Sequence, residues 1–171
     1  MVSKGLIALK QSITKSVEKA RLKLDEKEIK PNMTLEELLS MYTLDNLIYI
    51  AKNHGVKYAR KRKKELIKEL SEVIQENICS IIKEKLDKEQ QQLIIEIINS
   101  NGITDLSCLE TKYGTTKEDS PFWRDQPPKS IIGRTRGLGI IFIGILNKKK
   151  IIMIPQELLQ KIKQCPTNHN P

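Results

Sequence analysis

Apolar side chains keep helical spacing over most of this chain. Leu6, Leu9, Ile13, Val17, Ala20 and Leu24 follow one another at steps of three or four, which predicts an amphipathic helix from about Ser3 to Glu28, apolar on one face and basic on the other. Pro31 and Asn32 end that segment. Thr34 and Glu37 have the spacing of a capping box, in which hydroxyl and carboxylate satisfy free amides at a helix start, so a short helix to Met41 should follow. Thr43 is placed to cap the next helix, whose buried face would be Leu44, Leu47, Ile48, Ile50 and Ala51, and Gly55 suits the left-handed position after its last turn. His54, just before that glycine, is expected to meet helix-end carbonyls rather than to serve as ligand or base. Leu66, Leu70, Val73, Ile74, Ile78, Ile81, Ile82 and Leu86 then mark a long helix from about Lys61, roughly 26 residues and about 39 Å in length. Asp87 and Gln90 repeat the capping signal ahead of Leu93, Ile94, Ile97 and Ile98, and a shorter helix is expected over Asp105 to Lys112.

The helical period stops at Tyr113. Residues 113–129 are polar, hold Pro121, Pro127 and Pro128, and read as a loop insertion in which Phe122 and Trp123 either anchor the loop to the core or contact a partner. Ile140 to Leu146 and Ile151 to Ile154 are β-rich runs around Asn147 to Lys150, which predicts an antiparallel hairpin with a basic tip. Pro155 opens a closing helix through Lys163, and residues 164–171 form an expected flexible tail. The fold class that follows is mainly α with one small β-hairpin. Its expected divisions are an N-terminal amphipathic helix (1–30), a helical module with its long connecting helix (34–86) and a second module (87–163).

Charge sharpens this layout. The chain of 171 residues has 30 Lys and Arg against 21 Asp and Glu, a formal net charge of +9, and only 4% aromatic residues. Few aromatics leave few platforms for stacking single-stranded bases. Residues 1–33 carry eight cations against four carboxylates, and residues 57–86 nine against five, whereas residues 87–112 carry two against five. The densest cluster is Lys57, Arg60, Lys61, Arg62, Lys63 and Lys64, with no acid among residues 57–64. Cations at a helix start oppose the macrodipole by about 0.3 to 1 kcal/mol each, so their concentration there points to a bound polyanion, against the plainer reading of a solvated helix start. Lys148, Lys149 and Lys150 at the hairpin tip form a second candidate patch, and Arg134 and Arg136 a third.

Leu47, Ala51, Lys52, Gly55, Val56, Lys64, Leu66 and Ile67 form a frame, L-x-x-x-A-K-x-x-G-V followed by a short basic connection and K-x-L-I. That frame, over about residues 43–73, resembles the Rho termination factor N-terminal and SAP-like helix-extended-helix motif. The resemblance implies that the first helix ends at the glycine, that the connection packs an apolar residue inward, and that basic residues at the second helix start meet nucleic-acid backbone. Residues 87–163, with Gly137-Leu138 and Ile154-Pro155-Gln156-Glu157-Leu158, resemble winged-helix-like halves that accompany SAP-like segments in bacterial proteins. The hairpin would then be the wing.

The sequence holds no recognisable catalytic or cofactor pattern. Gly133, Gly137 and Gly139 fit neither a dinucleotide fingerprint nor a P-loop, and His54 and His169 stand apart from cysteines and carboxylate clusters. Cys79, Cys108 and Cys165, odd in number and widely spaced, do not read as a disulfide framework or a zinc site. The longest apolar run, Ile140 to Leu146, is far short of the roughly 20 residues needed to cross a bilayer as a helix, and the first residues lack a secretory signal. The expectation is therefore a cytoplasmic protein that is not an enzyme, needs no cofactor or metal, binds no membrane and binds nucleic acid, most readily the backbone of duplex DNA. The alternative is a protein–protein adaptor or homodimer using residues 6–24, with Ile13 and Val17 on its seam and Phe122 and Trp123 as further contacts.

Overall fold

The computed structural model describes residues 4–166, and the architecture is mainly helical with a small antiparallel sheet. Among the described residues, eight α-helices and three strands follow in the order α1 (Lys4–Asp25), α2 (Leu35–Ser40), α3 (Leu44–Asn53), α4 (Lys63–Ser80), α5 (Lys88–Asn99), β1 (Ile103–Asp105), α6 (Leu106–Tyr113), α7 (Ile131–Arg136), β2 (Phe142–Leu146), β3 (Lys149–Met153) and α8 (Gln156–Lys163). The expected tail beyond Pro166 and His169 lie outside the described residues.

Local chemistry sets the helix starts. The Thr34 hydroxyl accepts from the Glu37 amide at 3.2 Å while the Glu37 carboxylate accepts from the Thr34 amide at 2.7 Å. Thr43 with Asn46 and Asp87 with Gln90 close the same reciprocal pair at α3 and α5, so each helix begins with two of its orphan donors satisfied. The long helix continues past Ser80 as a π-helical turn, Ile81–Lys85, and stops at the extended Leu86. Leu66, Leu70, Ile74 and Ile78 line its inner face, and α2, α3 and α8 pack on it. The module over 34–86 and that over 87–163 thus share one continuous hydrophobic core.

The sheet has the order β1-β3-β2, all pairs antiparallel. Asn147 and Lys148 make the two-residue turn between β2 and β3 with positive φ of 50° and 65°, the backbone twist that tight hairpins favour. Lys149 and Lys150 therefore belong to β3, opposite Leu146 and Ile145. The free edge of β2 is covered by the segment after α1: the Ile29 amide donates to the Ile145 carbonyl at 2.9 Å and the Ile145 amide to the Lys27 carbonyl at 2.8 Å. Gly144 permits this approach, because a Cβ there would lie 2.7 Å from the Lys27 carbonyl oxygen and collide with Ile29.

Two of the three cysteines, which are not expected from the sequence to form a disulfide framework, are joined. Cys79, late in α4, and Cys165, just after α8, form a disulfide across a sequence separation of 86, with Cα atoms 5.5 Å apart. Packing of α8 along α4 brings them together, and nothing in their spacing shows it. Cys108 is free and exposed. No helix among the described residues is long and apolar enough to cross a membrane.

Candidate nucleic-acid interface

The basic connection runs from the end of α3 to the start of α4. Gly55, at φ +68°, turns the chain out of α3, and the Val56 amide donates to the Ala51 carbonyl at 2.9 Å, which places the Val56 side chain in the core. A tight turn follows in which the Lys61 amide donates to the Tyr58 carbonyl at 3.2 Å and Arg60 takes a left-handed φ of 64°. Arg62 occupies the N-cap of α4, and its amide donates to the Glu65 carboxylate at 3.1 Å. An arginine side chain has no acceptor, so it leaves the first-turn amides of α4 without a side-chain cap.

Five of the six cations here face water without a carboxylate partner: Lys57, Arg60, Arg62, Lys63 and Lys64. Lys61 is half-buried and pairs with Glu69. Tertiary packing extends this field beyond the expected residues. Lys85 donates to the Asn53 carbonyl at 2.6 Å at the α3 end of the connection. At the α4 end, the Lys63 ammonium donates to the Ser40 carbonyl at 3.1 Å and Lys27 donates to the neighbouring Met41 carbonyl. Burial and the nearby charge of Lys63 lower the Lys27 pKa below the usual lysine range. Lys27 and Lys85 carry no local motif, and only the folded chain reveals their place.

His54 fixes the α3 end of this surface. Its Nε2 lies 2.8 Å from the Leu138 carbonyl, to which it donates, and Asn53 donates to the adjacent Gly137 carbonyl at 2.9 Å. Burial depresses the His54 pKa below 6.5, helped by Lys85 and opposed by the bond to Leu138. A neutral imidazole here joins the helix end to the segment before β2.

The patch of Arg134 and Arg136 divides. Arg134 stays at the surface, 41% exposed at its side chain, and bridges to Asp87 at 2.7 Å. Gln90 amide donation, together with Arg134, holds the Asp87 carboxyl below its ordinary range. Arg136 is removed from the candidate interface: it is 4% exposed and enclosed by α1, α7 and the 114–130 loop. Its guanidinium donates to the Asp25 carboxylate at 2.5 Å, to the Tyr42 hydroxyl at 3.1 Å and to the Leu24 carbonyl at 3.3 Å. It also lies 5.5 Å from the Tyr42 ring centre and 5.6 Å from that of Trp123. Burial works against the charge of Arg136, but Tyr42 and Asp25 outweigh it and its pKa is raised. Burial likewise raises the Tyr42 pKa, against the pull of Arg136.

Of the partner candidates, Trp123 is in the interior, 2% exposed, with its ring 5.2 Å from Tyr42 and 6.0 Å from Tyr49. It anchors the 114–130 loop rather than meeting a partner. Phe122 and Ile13 are exposed, and Val17 is half-buried. Lys148, Lys149 and Lys150 are exposed at the hairpin, with Lys149 3.8 Å from Asp105. Helix α7 offers a groove little more than Arg134, since Ile132, Gly133, Thr135 and Arg136 are all buried.

Compared with known proteins, the chain matches no family model, no curated protein and no solved structure.

Proposed function

We propose that this protein binds nucleic acid without catalysing a reaction, holding duplex backbone against the α3–α4 connection. The observation that carries this reading is the set Lys57, Arg60, Arg62, Lys63 and Lys64, exposed, without carboxylate partners and gathered towards an α4 start whose first-turn amides lack a side-chain cap. Their mutual repulsion and the macrodipole both oppose the arrangement, and a phosphate backbone relieves both at once. Lys27 and Lys85 widen the positive field at its two ends. Helix, inward-packed Val56 and basic helix start also support the likeness to the SAP and Rho N-terminal motif.

The second half supports a winged-helix-like reading through its order α5, β1, α6, α7, β2, β3 and its β1-β3-β2 sheet. In that reading Lys148, Lys149 and Lys150 sit on the wing as a lesser backbone contact. The helix that would enter a groove, α7, is sealed by its own chain, so binding rests on backbone charge and discriminates little between sequences. Titrating the protein with duplex DNA, duplex RNA and single strands of several sequences tests this. Duplex binding that weakens steeply with salt and differs little between sequences is expected. Absence of binding at low salt, or strong preference for one sequence, would contradict it.

A further inference from the structure

From Lys4 to Ser16 every residue of α1 is exposed, including Leu6, Ile7, Leu9 and Ile13, which leave between 47% and 57% of their surface in water. The face of Leu6, Leu9 and Ile13, with Ile7 flanking it, continues as Val17, Ala20 and Leu24, which become progressively covered by the body of the protein. Beside this second half, Ala20, Leu22, Met41, Pro121 and Phe122 line an apolar groove of about 480 Å³, with Leu22 45% and Phe122 43% exposed. One helix thus presents an uncovered apolar stripe and, adjoining it at Ala20, an unfilled apolar groove. Exposed apolar surface this continuous is uncommon on a monomer.

We infer that the chain pairs with a second copy of itself through α1, the N-terminal stripe of each copy lying in the groove of the other. The stripe and the Ala20–Leu24 side of the groove lie on one unbroken helix, so a chain cannot fold its stripe back into its own groove, whereas an antiparallel two-fold pairing fills both at once with a single self-complementary surface. Such a pairing covers Leu6, Ile7, Leu9, Ile13, Leu22 and Phe122 on both copies, on the order of 1,000 Å² in total, the least that a specific interface needs. The groove is concave and takes inserted side chains better than a flat lipid surface does. The stripe lacks Trp and Tyr and is interrupted by Lys10, which also disfavours a bilayer. The charged residues lining the groove, Glu26 and Asp45 with Lys23 and Lys27, balance in sign, so the pairing rests on apolar cover rather than on attraction of charge. Helix α1 carries six cations against two carboxylates, so two copies repel at low ionic strength. Added salt strengthens this pairing and weakens nucleic-acid binding, which separates the two properties.

Sedimentation equilibrium of the full chain, without nucleic acid, tests the pairing. The wild type should pass from monomer to dimer with rising concentration, more readily at high salt. Leu9→Asp/Ile13→Asp, which spoils the stripe, and Phe122→Asp, which spoils the groove from a different segment, should each remain monomeric with unchanged thermal melting. Mixing the two variants should restore a heterodimer, because one intact stripe then meets one intact groove. A wild type that stays monomeric at all salts, or variants that dimerise as it does, would overturn the inference. Monomeric protein that instead binds phosphatidylserine vesicles through the stripe would overturn it in favour of a lipid surface.

Discussion

Replacing Arg136 by methionine removes the charge that holds α1, the α2–α3 turn and α7 together. The guanidinium makes three hydrogen bonds, to Asp25, Tyr42 and Leu24, and it is 4% exposed. Without it the Asp25 carboxylate, in a residue 7% exposed, loses its ion-pair partner. Breaking a buried pair from one side costs about 3 to 5 kcal/mol, because the stranded ion keeps its desolvation penalty. With an unfolding entropy of about 2.1 cal/mol/K per residue over this chain, that lowers the melting temperature by about 8 to 14 °C. Asp25→Leu added to Arg136→Met removes the stranded charge, and the double variant should regain most of the loss, since an apolar replacement of both partners is close to neutral. Urea unfolding followed by circular dichroism gives the three free energies. If Arg136→Met costs under about 1 kcal/mol, or if Asp25→Leu worsens it additively, the pair is not the buried lock described.

Trp123→Ala should cost about 3 to 5 kcal/mol and release the 114–130 loop, read as faster amide exchange at Pro121-flanking residues and loss of near-ultraviolet ellipticity; an unchanged loop would mean Trp123 is no anchor. Opening the Cys79–Cys165 bridge, which closes a separation of 86, should lower stability by up to about 4.6 kcal/mol by the chain-entropy relation. Cys165→Ser and reduction of the wild type should give the same unfolding curve, and a further effect of reductant on Cys165→Ser would contradict that assignment. His54 has a folded pKa below its ordinary 6.5, so the unfolded chain binds the extra proton first: stability is intact above pH 6.5 and declines as pH falls towards the folded value. His54→Gln, which still reaches the Leu138 carbonyl, should flatten that decline, and an unchanged pH profile would exclude His54 as its source.

What was legible in the sequence was what neighbouring residues decide. Thr34 with Glu37, Thr43 with Asn46 and Asp87 with Gln90 settle their helix starts within four residues, and Asn147-Lys148 makes its turn where the two β-rich runs break. Strand β1 was hidden because three residues carry no period and pair only with β3, almost fifty positions later. At the candidate site, the exposed run of cations was legible as a block, but the pairing of Lys61 with Glu69 and the approach of Lys27 and Lys85 depend on tertiary packing. Arg134 and Arg136 looked alike in a glycine-flanked stretch. Their fates differ because two residues of helix turn one outward to Asp87 and the other inward to Asp25, 111 positions away. The apolar stripe of α1 was plain in its spacing, whereas its lack of cover over Lys4 to Ser16 was not, since periodicity shows a face and not what lies against it.

The central claim is that phosphate backbone rests on the α3–α4 connection, and it is tested most directly by the salt dependence of duplex DNA binding for the wild type and for Arg60→Gln/Arg62→Gln/Lys63→Gln/Lys64→Gln. All four side chains are exposed, so the fold should tolerate their neutralisation, as circular dichroism will show. Each lost phosphate contact removes about 0.9 from the slope of log affinity against log salt, so the variant should bind more weakly at low salt with a slope shallower by about 3.6. A folded variant that keeps the wild-type affinity and slope would place the nucleic acid elsewhere or nowhere on this protein.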